Sequence, residues 1–335
     1  MLSPTPRSMR QIALAGVIAD TVIMSTGAAV RLSSSGLGCP DWPRCSAADI
    51  VASKNAGQTL LNTWIEFGNR LLNIPLVVIT VIVFIAAWRF RPQGTMRRDL
   101  VWLAAIQPAG VFAQAAIGGI VVLTKLNPVT VSIHFLVSAS IVAAAVVLHV
   151  RCQGGTGGRA APPCAGGPGG SSPRTDTVRG DLYLLSAVLV AVTSVMLAAG
   201  TVVTGTGPLA GHADTPRYKL PLEGVTQLHA DIGWLMAGLA VALVVGLRMS
   251  GAPARAVRAG WVMIAMLGTQ GVIGYIQYFT HLPAGLVWVH VTGSILVWIA
   301  VLRLFLFMRD RGPLRGPSPQ PVQAAPYRQP EVLDR

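Results

Sequence analysis

The chain has 335 residues, of which 52% are hydrophobic and 12% charged, with a formal net charge of +13. Soluble domains carry about 25% charged residues, so the composition excludes an ordinary soluble protein, although the length alone would accommodate two such domains. A basic total can signal nucleic acid, but here the arginines fall between long apolar runs, which makes the lipid bilayer the partner and argues against nucleic acid.

A membrane-crossing helix needs roughly 20 mostly apolar residues. Runs of this kind predict eight spans, at about 11–30, 64–88, 100–123, 129–150, 182–203, 222–247, 259–279 and 286–308. The second opens on polar residues, and the sixth contains Glu223 and Asp231, so those two have the softest limits. The even-numbered connections are rich in arginine: Arg89, Arg91, Arg97 and Arg98, then Arg151, Arg159, Arg174 and Arg179, then Arg248, Arg255 and Arg258. The odd-numbered ones hold only Arg31, Arg44 and Lys54, then Lys125, then Arg217 and Lys219, and the seventh holds none. This positive-inside pattern places both termini in the cytoplasm of a multi-pass cell-membrane protein. The first span is expected to be retained, because no A-x-A-like cleavage site follows it.

In the first outer loop the sequence CPDWPRC sets Cys39 and Cys45 in an oxidising location, which permits a disulfide. The alternative is two free thiols in a turn shaped by Pro40 and Pro43; two cysteines alone are too few ligands for a metal. Cys152 and Cys164 fall on the reducing side. In the second span Glu66 and Arg70 are spaced i, i+4. They form either an ion pair that lowers the cost of both in the bilayer, or a carboxylate set against a reactive centre, able to take protons or stabilise a developing cation.

Residues 152–180 are dense in Gly, Pro and Ser and read as a low-complexity cytoplasmic linker. It divides the chain into an N-terminal half, 1–151, and a C-terminal half, 181–310, followed by a cytoplasmic tail, 311–335. The halves are related. Gln114 and His134 are 20 residues apart, as are Gln270 and His290, and the windows 114–138 and 270–294 share nine identities in 25 at an offset of 156. About two or three would arise by chance in apolar sequence. Four spans per half make the repeat parallel, related by an axis along the membrane normal. The expected fold is all-α: a polytopic membrane protein of eight transmembrane helices in two parallel-repeat four-helix bundles, each able to hold a cofactor.

Ionisable groups inside a membrane need a partner or a role. His134, His229 and His290 lie near the outer ends of the fourth, sixth and eighth spans, and the corresponding place in the second span holds Glu66-Phe67-Gly68-Asn69-Arg70. A single membrane histidine is ordinarily a hydrogen-bonded interior residue. His229 and His290, at one depth on facing helices, suit bis-histidine ligation of a haem iron. Gln114 and Gln270 read as interhelical hydrogen-bond donors, and Gly118, Gly119 and Gly274 as points of close helix approach. His149 reads as interfacial, His212 and His281 as loop residues, and Asp20 and Asp231 as interior hydrogen-bonding groups.

The stretch Thr26-Gly-Ala-Ala-Val-Arg-Leu-Ser-Ser-Ser-Gly-Leu-Gly-Cys-Pro-Asp-Trp-Pro-Arg-Cys45 resembles the outer-loop signature of the haem A synthase family. Ile65-Glu-Phe-Gly-Asn-Arg70 resembles its Glu-x-x-His-Arg element, and Gly205-Thr-Gly-Pro208, Leu228-His229 and Val289-His290 resemble elements of its second half. The resemblance covers about residues 12–308. It implies an oxidoreductase that converts the C8 methyl group of haem O to the formyl group of haem A for cytochrome oxidase. It further implies haem b held by His229 and His290, substrate haem O with His134 on its iron, Arg70 as a cofactor-binding residue and Glu66 as the catalytic carboxylate. Haem O synthase and cytochrome oxidase assembly proteins are the partners it implies. Two departures stand out: Asn69 replaces a common family histidine, and Leu209 replaces another, with His212 three residues on. The rival reading is a diheme b-type electron-transfer protein without substrate chemistry, which gives Glu66 no role. A transporter, the other reading open to a repeat, would need broken helices and a polar midplane path.

Overall fold

A computed structural model describes residues 3–46, 51, 59–152, 178–212 and 214–308. Its regular structure is helical: α1 (Pro6–Leu32), α2 (Leu60–Leu71), α3 (Asn73–Arg89), α4 (Arg98–Leu123), α5 (Pro128–Arg151), α6 (Gly180–Thr206), α7 (Leu222–Met249), α8 (Ala254–Phe279) and α9 (Ala284–Phe307). Among the described residues there are eight spans long and apolar enough to cross a membrane, with α2 and α3 together making the second. The protein is therefore an all-helical, multi-pass membrane protein. Most of the expected linker and the whole of the expected tail lie outside the described residues; Val178 and Arg179 are described, and Gly180 already begins α6.

Three spans begin clearly earlier than expected, the first at Pro6 in place of residue 11. The second begins at Leu60 and is interrupted at Leu72. Pro75 accounts for the break, because a proline lacks the N–H that would bond the carbonyl four residues earlier and its ring crowds that carbonyl. The seventh begins at Ala254, one turn and more before residue 259. Helix starts are set by local chemistry: Thr5 and Thr59 accept bonds from the backbone N–H groups of Ser8 and Asn62, and Asn127 caps α5 ahead of Pro128.

The packing order follows the chain. α1 packs on α3 and α5, α3 on α4, and α4 on α5. In the same manner α6 packs on α7 and α9, α7 on α8, and α8 on α9. The two sets join where α1 and α5 meet α9 and where α5 meets α6. Hydrogen bonds cross this seam: Trp298 Nε1 donates to the Ala139 carbonyl (2.9 Å), Trp288 Nε1 to the Ser25 carbonyl (2.9 Å), Ser25 Oγ lies 2.8 Å from Thr292 Oγ1, and Arg31 donates to the Thr204 carbonyl (3.0 Å).

Lys125–Leu126 between α4 and α5, and His281–Leu282 between α8 and α9, are left-handed in both residues, with φ of 53° and 58°, then 63° and 59°. Few non-glycine residues adopt this conformation. Leu126 N bonds the Val121 carbonyl and Leu282 N the Gln277 carbonyl, both at 2.8 Å. The two turns are separated by the same 156 residues as the sequence windows above.

Two apolar cores lie toward the N-terminal end of the molecule, and a third, with Val17, Ala139, Val142, Leu197 and Trp298, runs along the seam. Met9, Ala13, Val83, Ala87, Leu100 and Leu148 form one; Leu182, Met236, Leu243, Leu247, Met263 and Leu304 form another. Cys152 packs on the first, and burial pushes its thiol up to about 12. A raised thiol pKa means that the thiolate is scarce until the pH approaches that value. In a Cys164→Ser background, maleimide labelling of Cys152 at pH 8 is therefore expected to run about 10³-fold slower than that of an ordinary thiol. Labelling at the ordinary rate would show that this end of the bundle is open.

Candidate functional site

His134, His229, His290 and the Glu66–Arg70 pair lie toward the opposite end of the bundle. His134 lies six residues beyond the first residue of α5, His290 six beyond that of α9, and His229 seven beyond that of α7. The imidazoles of His229 and His290 face each other across the second group of helices, with ring centroids 6.4 Å apart and planes at 70°. His134 stands in the first group, on a helix of its own.

Each ring rests on a glycine of the preceding helix. A Cβ added to Gly118 would lie 3.5 Å from His134 Cε1; at Gly200 it would lie 3.2 Å from His229 Cε1, and at Gly274 3.3 Å from His290 Cε1. The glycines let α4–α5, α6–α7 and α8–α9 close until a ring touches backbone. The Nδ1 atoms of His134 and His229 are buried without a hydrogen-bond partner among the described residues. The Gln270 carbonyl lies beside the His290 ring, but Nδ1 does not reach hydrogen-bonding geometry. Gln114 Nε2 donates to the His134 carbonyl (2.8 Å) and contacts Ser138 Oγ, an interhelical role anticipated from sequence. Gln270 reaches its side chain over Gly293, where a Cβ would collide with it.

The donor set fits a haem in the second group. His229 and His290, facing each other with Nδ1 atoms that make no hydrogen bond among the described residues, are the pair that would hold it. Among the described residues no three His, Cys, Asp or Glu side chains form a metal-sized cluster, whereas a haem iron needs only two axial ligands from the protein.

Cys39 and Cys45 are joined in a disulfide. Glu66, 5% exposed, holds the loop they close. Its Oε2 accepts from Cys39 N (2.8 Å) and its Oε1 from Arg70 Nη2 (2.6 Å). Arg70 donates in turn to the carbonyls of Cys39 (2.8 Å), Asp41 (3.0 Å) and Arg44 (3.1 Å). Gly38 is pressed on α2, where a Cβ would come within 2.5 Å of the Asn62 carbonyl oxygen. Thus the Glu66–Arg70 ion pair, one of the two readings of the spacing, is present and also grips the loop. Trp42 of the loop lies over Gly119, where a Cβ would meet the indole at 2.7 Å. Gly119 adjoins Gly118, so the loop spans from the Glu66 clamp to the His134 cradle.

The remaining candidates fall outside these groups. His149 is buried in the last turn of α5, with Nδ1 3.2 Å from the Arg10 carbonyl. His212 pairs with Asp214, and His281 sits in the α8–α9 turn. Asp231 Oδ1 accepts from Gln227 Nε2 (2.7 Å). Asp20 is 4% exposed, and its Oδ2 has no partner among the described residues. The role of Gly200 and the seat of Trp42 were not anticipated. The -Ala-Ala-Gly200- run, one helix before His229, was the available signal for the first.

Fold and site together define a polytopic membrane protein with three half-buried histidines, two of which face each other. The family model COX15-CtaA, described as cytochrome oxidase assembly protein, matches residues 10–302, and the chain belongs to that family. It is 32% identical over 132 residues to a protein named heme A synthase from Lysinibacillus sphaericus (strain C3-41), covering 39% of this chain and 40% of the relative. A protein of that name from Geobacillus kaustophilus (strain HTA426) is 31% identical over 110 residues, 32% of this chain and 31% of the relative. Another from Shewanella oneidensis (strain ATCC 700550) is 26% identical over 144 residues, 39% of this chain and 42% of the relative. In each case the aligned part is less than half of the relative's length.

Arg70→Ala removes several charge-assisted bonds, each contributing about 1.5–3 kcal/mol. Reduction of Cys39–Cys45 by dithiothreitol, followed by alkylation of the released thiols, is expected to run at least about tenfold faster in this variant. An unchanged rate would mean that the loop is held by other contacts.

Proposed function

We propose that this protein is a haem A synthase, an oxidoreductase that converts the C8 methyl of haem O to the formyl group of haem A for a terminal cytochrome oxidase. The observation that carries the reading is the inequality of its two histidine sites: one facing pair, His229 and His290, and one lone ring, His134, beneath a clamped loop. The names of the similar proteins support it. In this reading the two groups of helices are parallel repeats, with both termini in the cytoplasm of a bacterial cell membrane. Haem O synthase and cytochrome oxidase assembly proteins are its partners.

His229 and His290 hold haem b, which supplies one-electron transfer when bound. Their rings are set by Gly200 and Gly274, so ligation requires little rearrangement. The first group takes haem O as substrate, with His134 on its iron. Gln114 fixes the backbone of His134 at this point. The loop carrying Trp42 excludes water from the edge of the site, a condition under which fixed charges act more strongly. Glu66 is the carboxylate assigned to the oxidised carbon. With Cys39 and Arg70 bonded to its oxygens, it acts as an oriented negative charge that stabilises positive character in the transition state. Arg70 holds both Glu66 and the loop in place.

The test is expression with a haem O source and chromatography of the extracted haems. The intact chain is expected to accumulate haem A, and Glu66→Ala to lose it by at least about 10²-fold. Haem b without haem A in the intact chain would instead identify an electron-transfer protein. His229→Ala and His290→Ala are each expected to lose the low-spin haem b spectrum. Retention of that spectrum in both would break the ligand assignment.

A further inference from the structure

At the end of the bundle that carries His134, the first group of helices has one imidazole and the second has two, and the place of the missing one is open. Asn69 lies nine residues beyond the first residue of α2 and His229 seven beyond that of α7. At 1.5 Å per residue their depths differ by about 3 Å. In α6, Gly200 lies six residues before the last helical residue and touches the His229 ring. In α1, Gly27 lies five residues before the last, and no described atom comes within 4 Å of its Cβ position. The amide oxygen of Asn69 is buried and has no donor among the described residues. A buried acceptor without a donor is costly, and native proteins leave few.

Neighbouring groups leave that oxygen free for an outside donor. Arg70, the next residue, is committed to Glu66 and to the carbonyls of Cys39, Asp41 and Arg44. Arg31, on α1, is turned to the second group by its bonds to Thr204. Asn69 itself is a weak iron ligand, because a neutral amide oxygen is harder and less basic than an imidazole nitrogen.

We propose that Asn69 and the space at Gly27 form a binding place for a small neutral hydrogen-bond donor on the face of the first haem opposite His134. Water fills it in the resting protein, with its O–H donating to Asn69 Oδ1. The first site therefore exchanges its sixth ligand, and the second, closed by two histidines, does not. This rests on the haem reading above. Free imidazole is the natural probe, because the place matches one that holds a histidine ring in the second group and its N–H can donate to Asn69.

The experiment uses the full chain, purified with its haems and oxidised, and follows optical and electron paramagnetic resonance spectra during an imidazole titration. A high-spin fraction is expected that disappears in His134→Ala and turns low-spin as imidazole is added. Asn69→Leu is expected to weaken imidazole by about tenfold. Asn69→His is expected to make the fraction low-spin without imidazole and to abolish the titration. The low-spin signal that depends on His229 and His290 reports folding in every variant. Two low-spin haems in the unaltered chain, or a high-spin fraction that survives Asn69→His, would overturn the inference and leave the haem reading standing. Spectra indifferent to His134→Ala, His229→Ala and His290→Ala would overturn both.

Discussion

Three helix pairs in this protein close until an imidazole on one touches the bare backbone of the other, and much of the architecture follows from that contact. A Cβ at Gly200 or Gly274 would press on the ring at 3.2 or 3.3 Å, and one at Gly118 would just reach contact at 3.5 Å. Among the described residues the rings so held have no hydrogen-bond partner at Nδ1, a costly condition inside a bilayer. They are kept in place by shape, leaving their chemistry for a ligand. Two apolar cores lie toward the other end of the bundle, and a third follows the seam between the two groups.

The two groups of helices share a skeleton and differ in lining. They have the same left-handed turns, the same glycine-against-histidine contact and the same glutamine position. At the offset of 156 residues, Gln107 corresponds to Met263 and Gly119 to Tyr275. Gln107 is fully buried and bonds the Ile141 carbonyl at 3.3 Å, whereas Met263 is fully buried in the apolar core. Tyr275 accepts a bond from Trp234 Nε1 (3.0 Å), so the second site is flanked by an aromatic pair from its own helices. Gly119 instead receives Trp42 from the disulfide-closed loop. One site is bounded by its bundle, and the other by a separate piece of chain.

Much of this was legible in the sequence. Apolar run length gave eight spans because a bilayer forces every backbone group into internal hydrogen bonds. The facing of His229 and His290 followed from equal depth on neighbouring helices, which counting residues from the helix ends can recover. The break at Leu72 was written in Pro75 but hidden by the surrounding apolar run. The seat of Trp42 on Gly119 was not legible, since it joins a loop to a helix more than 70 residues on and no periodicity records such a contact. For Glu66 and Arg70, spacing showed the pair; only the folded loop showed what else the pair holds.

That second function explains the cost of the pair. Two charges taken out of water gain from each other only if their remaining hydrogen-bonding capacity is met. Along a single helix it would not be: Arg70 would keep most of its N–H groups without acceptors. The loop supplies them, with three carbonyls for Arg70 and the Cys39 N–H for Glu66. Conversely, the loop is short of regular structure, and its carbonyls need donors that no helix or strand provides. Helix and loop therefore satisfy each other, and the disulfide limits how far the loop can depart when the bonds break. Removing the charge of Glu66 therefore loosens the segment that carries Trp42 as well.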